Sequence, residues 1–319
     1  MKTRTFSTSS ESYALSRKYG YDEWIVERFL RYMPEVKNCL EEMEKTPRQY
    51  IRANSLKINS GGLKQRLLAK GIELEETSLP EVFEVKKSPF SIGSTLEYLL
   101  GYYYIQDLSS CLVVEAMDLC ENLTVLDMAS SPGGKTSFIA QKMKNTGCIV
   151  ALEPNSHRLR PLIFNLSRCG IINTCVFRMD GKKSPELNIK FDRVLLDAPC
   201  TGEGIIGKDR ARKISHKPED IEACTILQME LIEAAARVVK PGGLLIYSTC
   251  SFAPEENEFV INSLIDKFDI KVEALPFGSE GLTFFAEYNF NKDMKNTRRL
   301  YPHLHNTMGF YIAKLRVNS

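Results

Sequence analysis

The sequence predicts an α/β protein built on a parallel sheet, and three observations carry that expectation. Short apolar runs alternate with helical segments between residues 124 and 250. These runs are apolar on both faces, the signature of parallel strands covered by helices on either side. The turn after the first run carries adjacent glycines, and acidic residues stand at or just beyond the tips of four successive runs. Sheets of this kind bind ligands at the carboxyl ends of their strands, near a topological switch point.

The first strand is TVLDMA (124–129), followed by the SSPGGKT turn and the helix KTSFIAQKM. CIVALE (148–153) is the second strand, and SHRLRPLIFNLSRCG its helix, closed by Gly170 and carrying a Pro161 that predicts a kink or a later start. TCVFRMD (174–180), DRVLLDAP (192–199) and GLLIYSTC (243–250) complete the set, with a helix between the last two from about Pro218 to Lys240-Pro241. Beyond Phe252 come the helix EENEFVINSLIDKF, then VEALP, and finally GFYIAKLRV, which reads as a closing antiparallel strand.

The first hundred residues differ in pattern. MKTRTFSTSS is basic and Ser/Thr-rich without an apolar segment, so it reads as a frayed tail rather than a secretion signal. An amphipathic helical stretch covers about residues 21–45. YIRANSLKI, LKQRLLAKG, IELEETSL, VFEV, TLEYLLG and YYYIQD then follow in β-α-β-β-α-β order, a small ferredoxin-like or RNA-recognition-like α+β module. The expected division is residues 1–104 for helices plus this module and 105–319 for the larger α/β domain.

Composition sets outer bounds. The chain has 319 residues and a net charge of only +2, so a nucleic-acid surface has to come from local clusters such as Lys208, Arg210, Arg212 and Lys213, or Arg298 and Arg299. No apolar run is long enough to span a membrane. Nine cysteines without CxxC spacing argue against a disulfide framework and a structural zinc site, and fit a reducing cytoplasmic setting. Cys111, Cys120, Cys148, Cys169 and Cys175 lie in apolar-periodic stretches and read as core residues.

The candidate site begins at Asp127-Met128-Ala129-Ser130-Ser131-Pro132-Gly133-Gly134-Lys135-Thr136. Paired glycines let backbone approach a ligand, and the following helix start offers free N–H groups. The spelling matches neither GxxxxGK[ST] nor GxGxxG. Glu153, at the tip of the second strand, suits the hydroxyls of a ribose, and Asp180 and Asp197 follow the third and fourth. One such carboxylate is ordinarily a helix cap; a series of four points to a shared ligand site.

Two cysteines stand apart from the other seven. Cys200 in LDAPCTG and Cys250 in YSTCS both follow strand tips and precede turn residues. If their strands are neighbours, both thiols open onto one rim beside Asp197. Two thiols and a carboxylate suit methylation of carbon 5 of cytosine. A thiolate added at carbon 6 makes carbon 5 nucleophilic, the carboxylate steadies the adduct, and a second thiol helps remove the carbon 5 proton. The residue types alone fit a thiol oxidoreductase as well.

The chain closely resembles the Sun/Fmu (NSUN-type) family of RNA 5-methylcytosine methyltransferases, and especially its short archaeal, tRNA-type members. The resemblance covers about residues 50–315 through RANSLK (52–57), IQDLSS (105–110), DMASSPGGKT (127–136), LDAPCTGEG (196–204), YSTCSFAPEENE (247–258) and RRLYPHLHNTMGF (298–310). It implies a Rossmann-like class I methyltransferase fold preceded by an RNA-recognition-like domain. It implies S-adenosylmethionine as cofactor, held by Ala129, Ser130, Ser131, Pro132, Gly133, Gly134, Lys135, Glu153, Arg158, Asp180 and Asp197, with no metal. By the family pattern Cys250 is the nucleophile and Cys200 aids release, while Lys135 and Asp197 contact base and cofactor. Spacing alone does not assign these roles, because DNA cytosine methyltransferases use the Pro-Cys cysteine as nucleophile.

The partner implied is RNA, with tRNA preferred over ribosomal RNA, the protein acting as a cytoplasmic monomer, and Arg52 and Asn54 are candidate RNA contacts. Two departures stand out: Ala129-Ser130-Ser131 replaces the frequent Cys-Ala-Ala, and Pro154 follows Glu153. A non-catalytic RNA-binding module with a vestigial cofactor fold is the rival from another class.

Overall fold

A computed structural model describes residues 2–318. Three helices open the chain: α1 (Ser10–Tyr19), α2 (Glu23–Tyr32) and α3 (Val36–Glu44). The expected frayed tail is instead docked. Thr3 donates its N–H to Glu222 at 2.8 Å, Arg4 donates its N–H to Glu255 at 3.0 Å, and Ser9 caps α1 by accepting from the Ser12 N–H at 3.1 Å. The hydroxyl-rich composition thus serves a helix start. The single helix expected over 21–45 is split at Met33-Pro34, where Met33 takes an extended conformation (φ −97°, ψ 132°), as a residue before proline does.

Next come β1 (Tyr50–Ala53), α4 (Ser60–Leu68), β2 (Glu73–Glu76), β3 (Val82–Lys87), α5 (Leu96–Leu99) and β4 (Tyr103–Ile105). They form an antiparallel sheet in the order β2-β3-β1-β4, the arrangement expected of a ferredoxin-like module. Its second helix is reduced to the single turn of α5.

The larger sheet follows: α6 (Leu108–Glu115), β5 (Thr124–Asp127), α7 (Gly134–Lys142), β6 (Cys148–Leu152), α8 (Ser156–Cys169), β7 (Thr174–Phe177), β8 (Phe191–Asp197), α9 (Arg212–Ser215), α10 (Pro218–Val238) and β9 (Val239–Thr249). Strands β7-β6-β5-β8-β9 run parallel in that spatial order, so the order reverses between β5 and β8. After α11 (Glu258–Ile265) come β10 (Ile270–Glu273), β11 (Ser279–Glu280), β12 (Phe284–Phe285), β13 (Tyr288–Asn289), β14 (Arg298–Leu300), α12 (Pro302–His305) and β15 (Phe310–Val317). β15 pairs antiparallel with β9, as the closing strand was expected to do. Pro161 lies in the second turn of α8, where only one early helical bond is lost, and the helix continues through it.

Alternation along each strand divides the core between two faces. Leu126, Val150, Val194 and Leu245 pack on the side of α10, α11 and the three N-terminal helices, while Val125, Ile149, Leu195 and Ile246 pack against Phe138 and Ile139 of α7. Cys111 and Cys169 are buried as expected and Cys148 half-buried, but Cys120 and Cys175 are exposed. Cys120 lies in the turn after α6, and Cys175 on β7 at the sheet's edge, where one flank has no neighbouring strand. Among the described residues no helix is long and apolar enough to cross a membrane.

Candidate active site

The reversal of strand order opens a crevice at the tips of β5 and β8, where two carboxylates meet the α7 start. The Asp127 carboxyl accepts from the Thr136 hydroxyl at 2.7 Å. Burial, with the Asp197 charge adding to it, pushes its pKa up to about 6. The Asp197 carboxylate accepts from Lys135 Nζ at 2.6 Å and from the Ser248 hydroxyl at 2.7 Å, so it links α7 to β9. Lys135 also reaches Ser110 Oγ at 3.2 Å.

The turn between β5 and α7 is braced from several sides. Ser130 donates both its N–H (3.0 Å) and its hydroxyl (2.9 Å) to the Leu152 carbonyl at the end of β6. Gly133 has φ +100°, a left-handed conformation that a side chain would strain. A Cβ on Gly134 would stand 3.3 Å from the Tyr104 ring, so the α7 start approaches β4 as closely as only glycine allows without displacement.

A cavity of about 220 Å³ lies against this turn. Seven of the expected positions line it: Ala129, Ser130, Ser131, Pro132, Gly134, Lys135 and Asp197. The wall also includes Asp127, the first of the four strand-tip carboxylates, and Tyr104, Gln106, Asp107, Ser110 and Met308, to which the sequence reading assigned no role. Gln106, Asp107 and Ser110 fall in the IQDLSS motif and Met308 in HNTMGF, so the signal was present as motifs without function.

Glu153, Arg158, Asp180 and Gly133, and with them the two cysteines Cys200 and Cys250, lie outside that lining. The Glu153 carboxylate is 1% exposed, accepts from the Asn155 N–H at 2.9 Å, and stands 3.6 Å from Arg158. Arg158 donates to the Ser131 carbonyl at 3.1 Å, which holds the glycine-bearing turn from behind. Asp180 lies three residues past β7 and accepts from the Lys182 N–H at 3.0 Å, capping a short 3₁₀ turn over Gly181–Leu187.

Cys200 and Cys250 follow the ends of the neighbouring strands β8 and β9, with their sulfurs 3.2 Å apart. The contact with Cys250, then burial, raises the Cys200 thiol well above its usual range. Either sulfur can donate across this contact.

Most of the basic positions singled out from the sequence serve structural ends. Arg52 is 1% exposed and donates to Gln106 Oε1 at 2.5 Å, the Gly134 carbonyl at 2.8 Å and the Ser137 hydroxyl at 2.8 Å. Asn54 donates to the carbonyls of Gly101 (2.9 Å) and Cys169 (2.8 Å). Neither is available to RNA. Lys213 is paired with Glu44 at 2.5 Å, Arg210 donates to the Glu44 carbonyl at 2.7 Å, Arg212 is held by Thr201 and Asp209, and Arg299 is buried against Glu258. Lys208 is exposed.

Comparison with known proteins places this arrangement. A mouse protein named 28S rRNA (cytosine-C(5))-methyltransferase is 40% identical over 312 residues, which is 95% of this chain and 39% of that protein. The chain thus spans well under half the length of that curated relative. A Pyrococcus horikoshii methyltransferase homologue of known crystal structure is 41% identical, with a TM-score of 0.89 over 97% of this chain and 99% of that one. The crystal structure of NSun6 from the same organism, 25% identical, matches with a TM-score of 0.81 over 97% of each chain and holds SFG, an S-adenosylmethionine analogue. The fold is that of class I S-adenosylmethionine-dependent methyltransferases, and S-adenosylmethionine is the cofactor, as expected. The described pattern of 16S rRNA methyltransferase RsmB/F matches residues 114–316, a stretch that contains every strand of the parallel sheet, and the chain belongs to that family.

Proposed function

We propose that the protein methylates carbon 5 of a cytosine in RNA, with Cys250 as nucleophile and Cys200 assisting release. The observation that carries this reading is the pair of sulfurs 3.2 Å apart on the tips of β8 and β9, next along the chain to an Asp197 bound by Lys135. A dithiol oxidoreductase has no use for the Lys135–Asp197 pair or the glycine turn.

The crevice fits the cofactor. Gly134 lines the cavity at the start of α7, and Glu153, buried at the tip of β6, is the carboxylate assigned to a ribose. Arg158 acts on the turn through Ser131, and Asp180 is the carboxylate beyond β7. When bound, S-adenosylmethionine supplies the electrophilic methyl that carbon 5 takes.

The chain's own groups perform the remaining work. The Cys250 thiolate bonds to carbon 6, and the electron pair moves to carbon 5. Lys135 and Asp197 face the base and the charge that develops on it. Once carbon 5 carries both methyl and proton, a base must take the proton so that the Cys250–carbon 6 bond can break and return the thiolate. Cys200 suits this step. Its sulfur lies 3.2 Å from that of Cys250, within reach of the adduct that Cys250 forms.

For the substrate, the family is described by, and the mouse relative named for, ribosomal RNA, which favours rRNA over the tRNA expected from the sequence. The test is methyl transfer from labelled S-adenosylmethionine to ribosomal RNA and to tRNA, each alone. Label in cytosine C5 of rRNA only is the expected result; label in tRNA only rejects the substrate, and label in neither rejects the activity.

A further inference from the structure

Each catalytic cysteine is followed at once by a hydroxyl residue, Thr201 after Cys200 and Ser251 after Cys250. Both neighbours bond to the same buried group, the carboxylate of Glu256 just before α11. One oxygen of Glu256 accepts from Ser251 Oγ at 2.6 Å and from Thr201 Oγ1 at 2.5 Å. The other accepts from the Thr201 N–H at 2.9 Å and from Gln228 Nε2 of α10 at 3.0 Å. Glu256 is fully buried.

We infer that Glu256 is a positioning residue that ties the two cysteine-bearing loops to one carboxylate and thereby holds the two thiols at reacting distance. The inference rests on the proposed roles of Cys200 and Cys250. The two neighbours also touch each other directly, Thr201 Oγ1 lying 3.2 Å from Ser251 Oγ, and among the described residues Glu256 is the side chain that bonds to both of them. Neighbouring bonds close the same assembly: the Gly204 N–H donates to the Cys250 carbonyl at 2.8 Å, and Asn257 donates to the Ser251 carbonyl at 2.9 Å. A carboxylate is a costly choice for an interior that only needs filling, since apolar residues of similar volume are often at least as stabilising. Its four bonds fix direction as well as distance, which apolar contacts do not.

The separation of the thiols can be read without methylation. Dibromobimane alkylates one thiol and then either closes on the second or is captured by added glutathione; the partition measures how closely the protein presents its second thiol. Peptide mapping identifies the Cys200–Cys250 bridge among the other cysteines. The intact chain, Glu256→Gln and Glu256→Ala are compared, with circular dichroism to verify folding and single-turnover methylation measured alongside. The inference predicts at least a tenfold fall in bridging for Glu256→Ala, a smaller fall for Glu256→Gln, and matching falls in methylation rate with KM for RNA unchanged. Thr201→Val, which removes the hydroxyl's contacts with Glu256 and Ser251 and leaves the carboxylate, should show a fall of about threefold if Glu256→Ala does not fold. Bridging within twofold of the intact chain overturns the inference, as does unchanged methylation when bridging is lost. Failure of the functional reading is a separate result: Cys250→Ala methylating at the full rate while Glu256→Ala still loses bridging.

Discussion

Lys135 Nζ lies 2.6 Å from Asp197 Oδ2, across the point where the order of the parallel strands reverses. The lysine comes from the start of α7 and the aspartate from the end of β8, so the pair spans the crevice in which such sheets bind ligands. Both side chains are partly exposed, at 13% and 29%, so the pair contributes little to stability. Its value lies in charge aimed at a bound base.

Asp197→Asn keeps the volume and removes the charge. Methylation should fall by about 100-fold at saturating RNA, the usual scale for a lost electrostatic contact at a reacting centre, with thermal stability nearly unchanged. Single-turnover rates and a melting curve check both halves. A variant within threefold of the intact rate removes Asp197 from the chemistry.

Arg52 carries a different prediction, because its guanidinium is buried and bonded to Gln106, Gly134 and Ser137. Arg52→Ala should destabilise the protein by about 3 kcal/mol through the partners left unpaired. RNA affinity per folded molecule should not change. Urea unfolding and filter binding separate the two, and lost affinity with stability intact would restore Arg52 as an RNA contact.

How far the molecule could be read from its sequence follows the range of the interactions involved. The parallel sheet was legible because TVLDMA, CIVALE and DRVLLDAP carry their burial in their own composition. The ferredoxin-like order was legible for the same reason. The roles of Arg52 and Asn54 were not, since their partners Gly134 and Cys169 lie far along the chain and only the fold brings them together. Ser9 looked like part of a loose tail because a cap and a tail share composition, and what separates them is the docking of Thr3 and Arg4 on Glu222 and Glu255. Asp180 looked like one more strand-tip ligand and caps a 3₁₀ turn as well. Glu256 was quoted within a motif, and its tie to Thr201 depends on two strands being neighbours.

Glu256 makes a prediction in pH. Burial pushes its pKa from 4.5 up to about 7 despite the bonds from Ser251 and Thr201. A carboxyl whose folded pKa is raised contributes stability fully below its unfolded value and loses it as pH rises through the folded one. The intact chain should therefore lose up to about 3 kcal/mol relative to Glu256→Gln between pH 4.5 and 7.5, at roughly 1.4 kcal/mol per unit. Urea unfolding of both chains across this range reads the difference, and parallel pH curves contradict the assignment.

The central claim is that Cys250 attacks and Cys200 releases, with their sulfurs 3.2 Å apart. The most direct measurement is denaturing gel electrophoresis of Cys200→Ala and Cys250→Ala after incubation with labelled substrate RNA and S-adenosylmethionine. The account predicts a thiol-linked protein–RNA band that accumulates with Cys200→Ala and none with Cys250→Ala; a band from Cys250→Ala with none from Cys200→Ala would contradict it.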